Sequence, residues 1–248
     1  EAIRLQRHAV TATPGNGVML SNLCEMLRLN GEVAAAIEIG RRAVAVAPQL
    51  ATAHANLGIA LFDAGDLDAA RAAQEAALAI APDLAISVNN LGSILRKRGE
   101  TAAAEAQYRR ALELNPDHPD ALRNLGALLL EGERPREALQ ILARDLRGRP
   151  NDPEVHRAFG RAFLQLDDLD RAELALRKAV SIKPDMAEAL LGLAEVFQKK
   201  NHPALALEQT RKAVEAAPDL AYAHQQMAQC EADLGNVANA FAALETAL

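Results

Sequence analysis

Apolar and small residues return along this chain in a 34-residue period, at the same places in every copy. Number each copy so that its thirty-second residue is proline. Complete copies then run over residues 17–50, 51–84, 85–118, 119–152, 153–186 and 187–220. The seventh place reads Leu23, Leu57, Leu91, Leu125, Phe159, Leu193 and Met227. The eighth reads Cys24, Gly58, Gly92, Gly126, Gly160, Ala194 and Ala228, and only small residues there let two helices approach closely. The twentieth is alanine in all seven copies, from Ala36 to Ala240, and the twenty-seventh is alanine except at Asp145. A helix turns about 100° per residue. Places four, seven, eight and eleven therefore form one packed stripe, and places two, six, nine and thirteen form the opposite one. The pattern predicts two helices of about thirteen residues per copy, marginal alone and stable only when stacked. Residues 1–16 supply the second helix of an earlier copy and 221–248 most of a seventh. The expected fold is all-α, a single solenoid over 1–248 of antiparallel helix pairs, about fifteen helices in all.

The breaks between helices carry their own chemistry. Pro14, Pro48, Pro82, Pro116, Pro150, Pro184 and Pro218 fall just past second helices, which they cannot continue. Pro119 and Pro153 open first helices, and Pro135 and Pro203 open second helices, where a missing N–H costs nothing. Gly31, Gly65, Gly99 and Gly235 stand where a left-handed residue ends each first helix, with Asp167 and Asn201 in the same place.

This arrangement, with small residues at places eight, twenty and twenty-seven and proline at thirty-two, resembles the tetratricopeptide repeat over the whole chain. It departs at place four, where the family often carries Trp and this chain has Leu20, His54, Val88, Leu122, His156, Leu190 and His224. The resemblance implies a right-handed superhelix. It also implies that the stripe at places two, six, nine and thirteen lines a concave groove for a partner.

On that stripe, place six reads Asn22, Asn56, Asn90 and Asn124, then Ala158, Gly192 and Gln226. Asparagine is a mediocre helix former, so its recurrence in mid-helix needs a cause. Its amide matches the N–H and C=O of an extended peptide. Packed helices lie about 8–10 Å apart and an extended chain covers about 3.3 Å per residue, so each rung would meet every third peptide residue. The other cause is bonding between neighbouring repeats. The Asn-Leu-Gly ladder resembles the repeats of the O-linked N-acetylglucosamine transferase family, whose groove asparagines bind protein substrate. Those four residues alone carry that likeness, which implies a peptide-recognition region of a larger glycosyltransferase-like protein. Arg123, Arg157 and Arg161 follow where the ladder stops. They read either as helix ion pairs with Asp120 and Glu154 or as a basic spot for an acidic partner. Chaperone-binding relatives use Lys and Arg at places two and six of one repeat, a pair absent here.

The fourth complete copy is irregular. Asp145 occupies a small-residue place, and Gly148 stands where other copies have Ile80, Leu114 or Ile182, so thin packing is expected over 138–150. The run Arg96-Lys97-Arg98 ends a first helix, where cations suit the helix dipole.

Net charge is −6, against the basic footprint of a nucleic-acid binder. No run of eighteen apolar residues suggests a membrane span. Arginine outnumbers lysine 21 to 6, the bias of GC-rich bacterial coding. Cys24 and Cys230 lie about six copies apart, too far to bridge in such a stack, and fit a reducing cytoplasm. No His-x-x-x-His or Cys-x-x-Cys pair marks a metal site, and no constellation suggests a cofactor or catalysis. The chain opens without Met inside a helical pattern and is expected to be a piece of a longer protein. The expected function is a protein- or peptide-binding scaffold that is not itself an enzyme. The alternative is a structural scaffold that pairs with copies of itself through its end repeats, where Phe241, Leu244 and Leu248 lack a capping helix.

Overall fold

The computed structural model describes residues 2–247, and its fifteen helices account for nearly all of them, with no strand among the described residues. In chain order they are α1 (Ala2–Ala12), α2 (Gly17–Leu29), α3 (Val33–Val46), α4 (Ala51–Asp63), α5 (Leu67–Ile80), α6 (Ala85–Lys97), α7 (Thr101–Leu114) and α8 (Pro119–Glu131). There follow α9 (Pro135–Gly148), α10 (Pro153–Gln165), α11 (Leu169–Ile182), α12 (Ala187–Lys199), α13 (Pro203–Ala216), α14 (Ala221–Asp233) and α15 (Val237–Thr246). The even-numbered helices are the first helices of the copies and have thirteen residues each. Contacts gather the chain into two units, residues 1–124 and 125–248, which divide within α8. Inside each unit, helices touch only those one or two places along the chain, as expected where each repeat packs on its neighbours.

The tightest packing joins the two helices of one copy. Place eight of the first helix faces place twenty-four of the second, and the two residues share one fixed space. A Cβ added to Gly58 would lie 2.5 Å from Gln74 Nε2, and one on Gly92 would lie 2.7 Å from Tyr108 Cε1. The same atom on Gly126 would be 3.0 Å from Leu142 Cδ2, and on Gly160 2.4 Å from Leu176 Cγ. The first complete copy reverses the sizes: place eight is Cys24, and place twenty-four is Gly40, whose added Cβ would sit 3.1 Å from the Cys24 sulfur. Around this contact the place-twenty alanines Ala36, Ala70, Ala104, Ala138, Ala172 and Ala206 are wholly buried. Each buried Leu-sized side chain contributes roughly 1.5–3 kcal/mol, and Leu20, Leu27, Leu125, Leu129, Leu142, Leu176 and Leu190 are among the most completely buried.

Every first helix from α2 to α14 ends in the same turn. The N–H at place sixteen donates to the carbonyl at place eleven: Glu32 to Leu27, Asp66 to Leu61, Glu100 to Leu95, Arg134 to Leu129, Asp168 to Phe163, His202 to Phe197 and Asn236 to Glu231, at 2.8–3.0 Å. That closure requires a left-handed residue at place fifteen. It is met by Gly31, Gly65, Gly99, Gly235, Asp167 and Asn201 as expected, and also by Glu133 at φ 53°. Gly132, one residue earlier, does not take the turn, because the register of the helix and not residue type sets where it closes.

The irregular fourth copy is held differently from the expected thin packing. Asp145 is only 2% exposed, and Arg149 grips it with Nε at 2.9 Å from Oδ1 and Nη2 at 2.6 Å from Oδ2. Arg149 Nη1 also reaches Asp152 Oδ2 at 2.9 Å, and Asp152 caps α10 by accepting from the Glu154 N–H. An ion pair thus ties α9 to the start of α10 where other copies use alanine. Gly148 is exposed and faces open space.

A second buried carboxylate replaces an apolar residue in the last copy. Glu231 stands at place eleven, filled by Leu or Phe elsewhere, and is 3% exposed. It accepts from Asn236 Nδ2 at 2.7 Å and Arg211 Nη2 at 2.8 Å. The Asn236 hydrogen bond and then the Arg211 guanidinium hold its carboxyl below the usual range, despite the opposing effect of burial. Beyond it, Phe241 is 65% and Leu244 45% exposed on α15; Leu248 lies outside the described residues.

The shared space at places eight and twenty-four gives a direct test. Gly92→Ala drives a methyl into the Tyr108 ring and is expected to destabilise by about 1–3 kcal/mol. Gly148→Ala, with nothing near its added carbon, is expected to be neutral or to stabilise by up to about 1 kcal/mol. Urea melts that show equal effects for the two would contradict this packing.

Candidate functional site

The asparagine ladder lies in the first unit, on the first helices α2, α4 and α6 and at the start of α8. Its rungs are not equivalent. Asn22 is exposed and has no hydrogen-bond partner among the described residues. Asn56 donates from Nδ2 to the backbone oxygen and to Oγ of Ser21, both at 3.1 Å. Asn124 donates from Nδ2 to Asn89 Oδ1 at 3.0 Å and Ser93 Oγ at 3.3 Å. The bonds to Ser21 and Asn89 run from place six of one copy to place five of the copy before it, and the one to Ser93 ends at place nine. Place five is Ser21 in one case and Asn89 in the other, and both carry a side-chain acceptor.

Asn90 breaks this rule. The residue at place five before it is Ala55, which has no side-chain acceptor, and the Ala55 carbonyl already accepts from Gln74 Nε2 at 3.0 Å. Asn90 Oδ1 accepts from Asn89 at 3.4 Å, but its Nδ2 is buried with no partner. Gln74 is fully buried, and its Oε1 also has none. Buried polar atoms left unsatisfied cost about 1–3 kcal/mol each, so their placement calls for a cause. Both residues line one cleft of about 320 Å³, with Gly58, Phe62, Ile86 and Ile94 among its walls. Glu25, Arg28, Asp63 and Asp120 also line it, and Arg28 pairs with Asp63 at 3.1 Å. An adjoining cavity of about 550 Å³ shares Phe62, Ser93 and Asn124 with the cleft and adds Arg96, Lys97 and Tyr108. Two residues of the basic run at the end of α6 therefore line a cavity on this face, while Arg98 pairs with Asp68 and Glu100.

The arginines are placed as follows. Arg123, in the first unit, bonds Asp120 at 3.3 Å within α8. Arg157, in the second unit, bonds Glu154 at 2.8 Å within α10. Arg161, four residues on in α10, is exposed and has no ion-pair partner among the described residues. The ladder ends at Ala158, and one copy further on an added Cβ at Gly192 would lie 2.9 Å from Leu176 Cδ2, so a larger side chain there would press on α11.

The place-four histidines share one task. Nε2 of His54, His156 and His224 donates to the carbonyl of Pro48, Pro150 and Pro218 at 2.9, 2.9 and 2.7 Å. Each ties a first helix to the ladder proline just before it. Cys24 and Cys230 are buried free thiols; burial pushes Cys24 up to about 11 and also raises Cys230, which leaves both protonated and unreactive near neutrality. No group of three or more metal-ligating side chains occurs among the described residues. None of their helices is long and apolar enough to cross a membrane.

Sequence patterning did not single out Ser21, Gln74, Asn89, Ser93 or Tyr108. A signal was present for two of them. Gln74 is a polar residue at a place filled by Leu142 and Leu176 in other copies, and Asn89 doubles the asparagine beside it.

Sequence models of the tetratricopeptide repeat match residues 51–84, 95–161 and 157–221, and the chain is built of tetratricopeptide repeats. No curated protein matches the sequence. Among solved structures, a chain of the APC/C hetero-tetramer Cut9-Hcn1 aligns with TM-score 0.82 at 17% identity, over 92% of this chain and 46% of that one. This chain thus spans less than half the length of that relative. A tetratricopeptide repeat protein from Parabacteroides merdae aligns with TM-score 0.72 at 19% identity, over 93% and 91%. YrrB, described as a tetratricopeptide repeat protein with an unusual peptide-binding site, aligns with TM-score 0.61 at 24% identity, over 74% and 95%. These likenesses establish the fold.

If Asn90 lacks a partner because Ala55 offers none, Ala55→Ser should supply one, as Ser21 does for Asn56. The expected gain is up to about 1 kcal/mol, read as a higher urea midpoint; a lower midpoint would refute the place-five rule.

Proposed function

We propose that the chain is a protein-interaction scaffold whose first unit binds an extended segment of a partner along α2, α4, α6 and the start of α8. The carrying observation is the buried, unpartnered Nδ2 of Asn90, a residue that lines the cleft, while Asn56 and Asn124 give their donors to the copy before. Asn22 is free, and Asn56 and Asn124 keep Oδ1 as an acceptor without a partner among the described residues. Together they offer an extended backbone both donors and acceptors, each bond contributing about 0.5–1.5 kcal/mol. The fold relative YrrB, described by its peptide-binding site, supports the class of ligand. Arg161 offers the second unit a free cation for an acidic partner side chain.

In this reading the chain supplies recognition and no catalysis, in a cytoplasmic setting that suits its two free thiols. A glycosyltransferase-like parent rests on the Asn-Leu-Gly resemblance alone. Asn22→Ala and Asn90→Ala are expected to weaken peptides selected from a random library by about 1 kcal/mol each, measured by fluorescence anisotropy. Asn56→Ala and Asn124→Ala should weaken them and also lower stability, because their donors hold neighbouring repeats together. Unchanged affinity across all four rejects the groove.

A second reading, pairing of copies through end repeats, is favoured by Val237, Phe241 and Leu244, 59%, 65% and 45% exposed on α15. It expects a scattering mass that rises with concentration in the wild type and not in Phe241→Glu. A constant one-chain mass removes it.

A further inference from the structure

Gln74 and Asn90 both line one cleft, and each holds a buried polar atom without a partner, Oε1 and Nδ2. One is an acceptor and the other a donor. Their isolation has one origin. Gln74 fills place twenty-four, where Leu142 and Leu176 sit in other copies against Gly126 and Gly160. Its Nε2 takes the Ala55 carbonyl. That backbone oxygen is the counterpart of the Ser21 oxygen to which Asn56 donates one copy earlier. Gln74 therefore both leaves its own Oε1 unpaired and removes the acceptor that Asn90 would otherwise use. A leucine at this place would remove the first unpaired atom and release a partner for the second. A glutamine at this place costs stability, and such departures from good packing are expected where a site serves binding.

We infer that this cleft is a subsite for a carboxamide, presented by an Asn or Gln side chain of the bound peptide. A carboxamide carries an acceptor for Asn90 Nδ2 and a donor for Gln74 Oε1 at once. A carboxylate would set its oxygen against Gln74 Oε1, and an ammonium would set its protons against Asn90 Nδ2; each leaves one protein atom unpaired and opposed, which is how polar sites reject close analogues. The apolar walls Phe62, Ile86 and Ile94 suit the methylene stem. A volume of about 320 Å³ accommodates such a side chain with room for its backbone to remain on the ladder. The inference rests on the reading of this face as a peptide groove and adds specificity to it.

The test uses the whole chain with propionamide, propionate and propylammonium as probes, followed by NMR shifts of the side-chain amides. Propionamide is expected to give saturable shifts at Gln74 and Asn90, with the other two probes at least about tenfold weaker. Gln74→Leu is expected to lose that binding while melting at a higher temperature than the wild type, which excludes unfolding as the cause. In parallel, a random-peptide library should yield sequences with Asn or Gln at one fixed place for the wild type, and lose that preference with Gln74→Leu. Equal shifts from the three probes, no saturable shift because the cleft holds water only, or selected peptides indifferent to Asn and Gln each overturn the carboxamide subsite and leave the peptide groove standing. A library that enriches no peptide overturns both.

Discussion

Everything in this fold depends on how closely the two helices of one copy can approach. The contact is a shared space: what place eight gives up, place twenty-four fills. Glycine at Gly92 admits the Tyr108 ring, glycine at Gly160 admits Leu176, and where Cys24 takes more room Gly40 takes less. Interiors packed to crystal-like density leave no slack for both to be large. Helices of thirteen or fourteen residues would not persist alone; this contact, repeated with the buried alanines around it, is what makes them cooperative. The uniform turn after each first helix follows from it, since the second helix must leave at one fixed angle to reach that contact. The turn is imposed even on Glu133, a residue that would not choose it.

Polar residues enter this packing by substitution into apolar or small places, and each is handled according to its surroundings. Asp145 and Glu231 are matched by guanidinium and amide donors, because a buried carboxylate without them would be untenable. The place-four histidines are matched by proline carbonyls. Gln74 and Asn90 are not matched. The satisfied exceptions contrast with the unpartnered Gln74 and Asn90, which line one cleft of the first unit.

Much of this was legible in the chain itself. A strict 34-residue period with proline, glycine and alanine at fixed places fixes helix number, helix limits and turn positions, because each of those residues acts locally through φ, a missing N–H or small size. Asn22, Asn56, Asn90 and Asn124 were equally visible as a row. What could not be read was that the four differ. Asn56 and Asn124 spend their donors on Ser21 and Asn89, whereas Asn90 finds Ala55 already engaged by Gln74. Those partners lie 19 to 35 residues away, and no local propensity reports on them. The fourth copy teaches the same lesson: Asp145 read as a packing defect until Arg149, one turn along, proved to close on it.

By itself, then, the sequence determined the repeat, its register and the stripe that carries the asparagines, since helical periodicity and turn chemistry are properties of neighbouring residues. Only the tertiary structure decided which polar groups on that stripe are left without partners. Hydrogen-bond satisfaction is a property of three-dimensional neighbours, and here a single glutamine on a second helix settles the availability of an asparagine on the next first helix.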